Sequence, residues 1–143
     1  MKKFNFPLDR VLDWRRSQAR MEESKLEQIY GELRRLEIRE KSLLEERARS
    51  QKHLATIPAA SSEELAAFDS FHGHLREECL RLDNQRNECR TRIDAQIQIV
   101  TLRRRDVRLL EKLKEKQHGN WTAEFNREIE QQAAEAALAK WSR

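Results

Sequence analysis

The chain has 143 residues, a length suited to one domain. Charged residues make up 38% and aromatics 6%, with three glycines and two prolines. That mixture is too poor in large apolar groups for a thick globular core and too regular in its leucines for a disordered tail. The 29 basic side chains exceed the 25 acidic ones by a net charge of only +4, short of the segregated excess of a dedicated nucleic-acid binder.

A chain this polar can fold if each helix covers one narrow apolar stripe, and long helices are the economical solution. No stretch is apolar for long enough to read as a membrane-spanning helix. The opening Met1-Lys2-Lys3-Phe4-Asn5-Phe6-Pro7 is basic but lacks the apolar run of a signal peptide. Cys79 and Cys89 fall on one expected helix, where a rise of 1.5 Å per residue puts them roughly 15 Å apart, beyond disulfide reach. A reducing cytoplasmic setting follows.

The first expected helix runs over about 7–57. Pro7 suits a first helical position, because its φ is fixed and its missing N–H would be unpaired there anyway. Asp9 adds a negative charge near the positive end of the helix dipole. A seven-residue repeat then collects Leu8, Leu12, Ala19, Leu26, Ile29, Leu33, Leu36, Leu43, Leu54 and Ile57. Arg15, Glu22, Glu40, Arg47 and Ser50 interrupt it, so the seam is imperfect.

The break comes at about 58–61. Pro58 stops the first helix, and Ser61 with Glu64 has the spacing of a capping box for the next. A short connection of this kind joins antiparallel neighbours.

The second expected helix covers about 62–138, with a possible kink near 118–120 at His118-Gly119-Asn120. Its seam collects Leu65, Phe68, Leu75, Cys79, Leu82, Cys89, Ile93, Val100, Val107 and Leu110, interrupted by His72, Arg86, Gln96 and Arg103. Folding about residues 59 and 60 places Leu8 opposite Glu111, Leu33 near Arg86 and Leu54 against Leu65. The expected fold is all-α: a single domain over 1–143, a long antiparallel two-helix coiled coil with a C-terminal helical overhang. Polar seam residues such as Glu40, Arg47, Arg86 and Arg103 would fix its register while lowering its stability.

Two features exceed the needs of a self-contained hairpin. Ile99, Leu102, Leu109 and Leu113 form a second apolar row offset from the seam. The row reads either as a widened seam or dimer contact, or as a groove for a partner helix. In addition, the second helix beyond about residue 112 overhangs the first and carries Leu113, Trp121, Phe125, Ile129, Leu138 and Trp141. Tryptophans on an unpaired helix are favoured binding anchors.

Catalytic signatures are missing from the sequence. His72 and His74 sit two apart, on nearly opposite sides of a helix, with no third ligand at suitable spacing. There is no glycine-rich phosphate loop, no GxSxG elbow and no nucleophile–base arrangement. The expectation is a non-enzyme with no metal and no cofactor. The basic runs Arg103-Arg104-Arg105, Arg108, Lys112, Lys114 and Lys116 would lie beside Lys2, Lys3, Arg10, Arg15, Arg16 and Arg20 in a hairpin. Interspersed Asp and Glu suit a solvated, ion-paired face, or a positive surface steered towards an acidic protein. Interleaved stacking aromatics are lacking, so no nucleic-acid partner is expected.

The opening Phe4-Asn5-Phe6-Pro7-Leu8, then Val11-Leu12 and Arg15, resembles the N-terminus of the FliJ family of flagellar export proteins. Leu110-Glu111-Lys112-Leu113-Lys114-Glu115-Lys116, Trp121 and Glu130-Gln131 are similar to later elements of that family, in the same order. Ala134-Glu135-Ala136 stands where many members have Leu-Asp-Glu. The resemblance implies an antiparallel coiled-coil stalk that binds the flagellar export ATPase hexamer and the cytoplasmic domain of the export gate, and assists export chaperones. It implies a peripheral place at the cytoplasmic face of the inner membrane, without membrane insertion, and a monomer when free. For the ATPase the implied contacts are Phe4, Phe6, Leu8, Arg15, Arg16, Arg104, Arg108, Leu113 and Trp121. For the gate the candidates are Tyr30, Phe71 and Leu75, the last of which is equally a seam residue. Two alternatives remain: the equivalent stalk of a virulence type III secretion system, and a homodimeric coiled-coil scaffold without an ATPase partner.

Overall fold

A computed structural model describes residues 2–143. Two helices, α1 (Asp9–Ala55) and α2 (Ser62–Trp141), pack against each other as a hairpin, and no strand occurs among the described residues. The chain divides into two compact units: Met1–Glu22 with Val100–Arg143, and Glu23–Ile99.

Both ends of α1 differ from the sequence expectation. Pro7 precedes the helix instead of opening it: the Asp9 N–H donates to the Phe6 carbonyl at 3.1 Å, closing a turn around Pro7 and Leu8. Proline's fixed φ suits that turn as well as it suits a first helical position. Leu8 then caps the helix, its carbonyl accepting from the Leu12 N–H at 2.9 Å. At the far end the helix stops at Ala55, not Ile57. Thr56 and Ile57 donate to the His53 and Leu54 carbonyls at 3.1 and 3.2 Å, a tighter i→i−3 pattern that satisfies terminal carbonyls before Pro58 excludes further helix.

The start of α2 follows the capping-box expectation. The Glu64 N–H donates to Ser61 Oγ at 3.2 Å, and the Ser61 N–H donates to Glu64 Oε2 at 3.4 Å. The Ser61 carbonyl accepts the first intrahelical bond, from the Leu65 N–H at 3.0 Å. α2 continues as helix through His118-Gly119-Asn120, the stretch where a kink was possible. Glycine disfavours a helix interior by about 1 kcal/mol relative to alanine, too little to interrupt a helix held on both sides.

In the Glu23–Ile99 unit, the seam forms two clusters. Ile29, Cys89 and Ile93 are buried with Leu26, Leu33 and Leu36 against them, and Leu43, Leu75 and Leu82 are buried with Leu36 and Cys79. Cys79 and Cys89 are free thiols in this seam. His72, expected as a polar interruption, is buried with its ring 4.1 Å from that of Phe68. Ion pairs flank the seam: Arg92 with Glu32 at 2.8 Å and Arg39 with Glu78 at 3.7 Å. The hydrogen bond to Glu32 raises the Arg92 pKa above its ordinary value. Inside the seam, Arg86 donates to Glu40 and also reaches Asp83 at 3.3 Å.

The pairing corrects the expected register. Arg86 meets Glu40, one heptad beyond the expected Leu33, and in the other unit Glu111 meets Arg16 rather than Leu8. Register is therefore set by which seam residues bury and pair, and not by the midpoint of the connecting loop.

Candidate functional site

The unit formed by Met1–Glu22 and Val100–Arg143 contains all the residues expected to face an ATPase. Its core is the seam of Leu12, Ala19 and Val100, buried together with Phe6. Ion pairs flank that seam. Lys114 Nζ donates to Asp9 at 2.8 Å, and Arg16 donates to Glu111 at 3.1 Å. Arg15 approaches Asp106 at 3.5 Å, and Arg103 approaches the same carboxylate at 3.9 Å. These pairs are partly exposed, so each adds little stability, on the order of 0–1 kcal/mol. They fix orientation more than they hold the fold.

The N-terminal segment was expected to leave α2 overhanging beyond about residue 112. Instead it folds along α2. Phe4 sets its ring edge-on to His118 at 4.9 Å and lies 6.0 Å from the Trp121 ring. Trp121 stacks on Phe125 at 5.2 Å and 10°, and its Nε1–H donates to the Lys2 carbonyl at 3.1 Å. Lys114 Nζ stands 5.9 Å from the Phe6 ring. The reason is physical: an indole with one polar edge is satisfied by apolar faces plus one acceptor, and here the Phe4 and Phe125 rings supply the first and the Lys2 carbonyl the second. The overhang proper begins later, and residues 129–143 are all exposed, Trp141 at 91%.

This clasp corrects three expected anchors. Phe6 is buried at 4% exposure, so it is core and not a free contact residue. Trp121 and Phe4 are half-buried, with their rings 6.0 Å apart. Leu8, Arg104, Arg108 and Leu113 are exposed on the same unit, and Arg15 and Arg16 are half-buried in the ion pairs above. A shallow groove between the segment and α2 is lined by Phe4, Arg16, Glu111, Lys114, Glu115 and His118.

The gate candidates separate. Tyr30 and Phe71 are exposed, each at 37%, but Leu75 is buried at 3% with Leu43 and Leu82 and therefore belongs to the seam. Tyr30 adjoins Ile29 of one cluster, while Phe71 adjoins His72 with ring centroids 6.0 Å apart. The two exposed aromatics do not form one patch with Leu75.

Sequence reasoning missed Trp14. It is 55% exposed, with the Arg15 guanidinium 5.1 Å from its ring centre. Its signal was available: Val11, Trp14 and Met21 recur at helical spacing one step off the seam, as Leu102, Leu109 and Leu113 do on α2. Among the described residues, no group of three or more His, Cys, Asp or Glu could hold a metal ion, and no helix is long and apolar enough to cross a membrane.

The fold and site define a two-helix coiled-coil protein whose N-terminal segment is clasped to the second helix by aromatic rings. Comparison with protein families, curated proteins and solved structures finds no match for the chain.

Proposed function

We propose that this chain is a non-enzymatic coiled-coil stalk of a flagellar type III export apparatus. It would bind the export ATPase hexamer through the unit that holds both chain ends, work at the cytoplasmic face of the inner membrane, and reach the export gate and export chaperones through other surfaces. The observation that carries this reading is the Phe4–Trp121 clasp. The two sequence elements that resemble the FliJ family, one near each terminus, meet there in a single unit, whose surface also exposes Arg108 and Leu113.

Such a stalk acts by differential contact. If it binds the assembled ring more tightly than loose subunits, mass action favours assembly and the nucleotide sites formed between subunits. If its asymmetric surface prefers one subunit conformation, it couples turnover to the gate. Of the gate candidates, Tyr30 and Phe71 remain available for contact, and Leu75 acts by holding the seam.

The test is steady-state ATP hydrolysis by a flagellar export ATPase titrated with this protein, beside Arg108→Ala and Trp121→Ala. The expected result is saturable stimulation, weakened in Arg108→Ala at unchanged helicity. A flat titration with both proteins folded would rule out the ATPase role.

A further inference from the structure

The unit of Met1–Glu22 and Val100–Arg143 has two unlike sides. In heptad terms Leu12 and Ala19 take position a, with Arg15 and Glu22 at d; on α2 Val100 and Val107 take a, with Arg103 and Leu110 at d. Arg16 and Glu111 are both at e and are hydrogen-bonded to each other. The e positions of the two helices therefore share one side, which leaves the g and c positions of both on the other. Those positions hold Val11, Trp14 and Met21 on α1 and Leu102, Leu109 and Leu113 on α2, all between 37% and 61% exposed, interrupted by the polar Gln18, Asp106 and Lys116.

An apolar stripe that widens from a and d to include g and c on both members of a helix pair is the pattern of a bundle with one helix missing. A self-contained two-stranded coiled coil would place charges there. The rim of this side is basic: Arg10, Arg105 and Lys112 occupy the adjacent f positions, and all three are exposed. We propose that this side docks one amphipathic helix of a partner protein, apolar along its inner face and flanked by Asp or Glu.

Two features select that occupant over others. A second copy docking through the same face would bring Arg10, Arg105 and Lys112 against their own kind, which opposes association. A lipid surface would have to accommodate Asp106, which sits at a g position within the apolar row and is tied to Arg15 and Arg103. A charge at that depth in hydrocarbon is costly, whereas a helix can seat its side chains around it. The inference is independent of the export proposal, because ATP turnover tests one and helix binding tests the other.

The experiment is fluorescence anisotropy with labelled amphipathic peptides of about three heptads, leucine-faced, with either Glu or Lys at the flanking positions. The full-length protein is compared with Leu109→Gln, Trp14→Ala and the control Leu80→Gln, an exposed leucine of the other unit. Because all three substituted positions are exposed, melting curves should stay unchanged. The expected result is saturable binding of the Glu-flanked peptide, at least tenfold tighter than the Lys-flanked one at low salt. Leu109→Gln and Trp14→Ala should weaken it at least tenfold, and Leu80→Gln should leave it alone. Equal binding of both peptides, no binding, or indifference to Leu109→Gln overturns the proposal. So does concentration-dependent dimer mass that Leu109→Gln abolishes, or binding to anionic phosphatidylserine vesicles in place of the peptide.

Discussion

Replacing Arg86 by leucine should destabilise the hairpin more than replacing its partner Glu40 by leucine, and replacing both should restore most of the loss. The two side chains face each other inside the seam at 19% and 28% exposure, so each is largely removed from water. Taking away Arg86 leaves the Glu40 carboxylate there without its cation. A fully buried stranded charge costs about 3–5 kcal/mol, and the residual exposure lowers that to about 2–3 kcal/mol. Taking away Glu40 leaves Arg86 still joined to Asp83 at 3.3 Å, for a loss of about 1 kcal/mol. The double leucine variant places apolar groups at two seam positions and should fall within about 1 kcal/mol of the parent on either side. The coupling energy is then roughly 3 kcal/mol, well above the error of a double-mutant cycle. Urea denaturation followed by circular dichroism supplies the four stabilities. Additivity within about 0.5 kcal/mol would refute the claim that this pair acts as a unit in the seam.

Three further outcomes are expected. Gly73→Ala and Gly119→Ala should each raise stability by about 0.5–1 kcal/mol, because a Cβ at either site meets nothing within 4 Å and neither residue has positive φ; a lowered thermal midpoint would contradict this. Leu75→Ala should lose about 2–4 kcal/mol by opening the Leu43–Leu82 cluster, whereas Leu80→Ala, at 66% exposure, should change stability by less than about 0.5 kcal/mol in the same denaturation series. Phe6→Ala should release the N-terminal segment with helicity retained, and in a Trp14→Phe, Trp141→Phe background acrylamide quenching of Trp121 should rise; unchanged quenching would mean the clasp does not depend on Phe6.

Much of this fold is legible in the heptad pattern. Every buried residue of α1 and α2, including the polar interruptions at His72 and Gln96, lies at a seam position, because a period of seven leaves little freedom about which face is covered. The ends of the expected seam are not covered: Leu8 is 38% and Leu65 50% exposed. The Ser61–Glu64 cap is equally readable, since its chemistry is local. What the pattern left open is long-range. Register depends on the match between Glu40 and Arg86 across the hairpin, a choice among partners that no local spacing encodes. The packing of Phe4 and Lys2 on Trp121 was invisible for the same reason: nothing in Lys2–Phe6 has helical periodicity, and its partner lies at the other end of the sequence. Phe6 read as a contact residue and is core, because an aromatic ahead of a helix looks the same whether its pocket belongs to its own chain or to another. Leu75 carried both readings in its heptad position, and burial decided between them.

The clasp also bears on the order in which the chain assembles. Sequence separations across the hairpin climb from 46 at Glu40–Arg86 through 60 at Glu32–Arg92 and 105 at Asp9–Lys114 to 119 at Lys2–Trp121. Closed directly, the last of these would gather nearly the whole chain into one loop. Zipped outward from the capped turn at Ser61, each new pair needs only a few residues to find each other. The Lys2–Phe6 segment is then the last to find its place, and it is also the first to fray. A partner that engages the clasped end would meet a contact able to open without unfolding the rest, and could hold it shut.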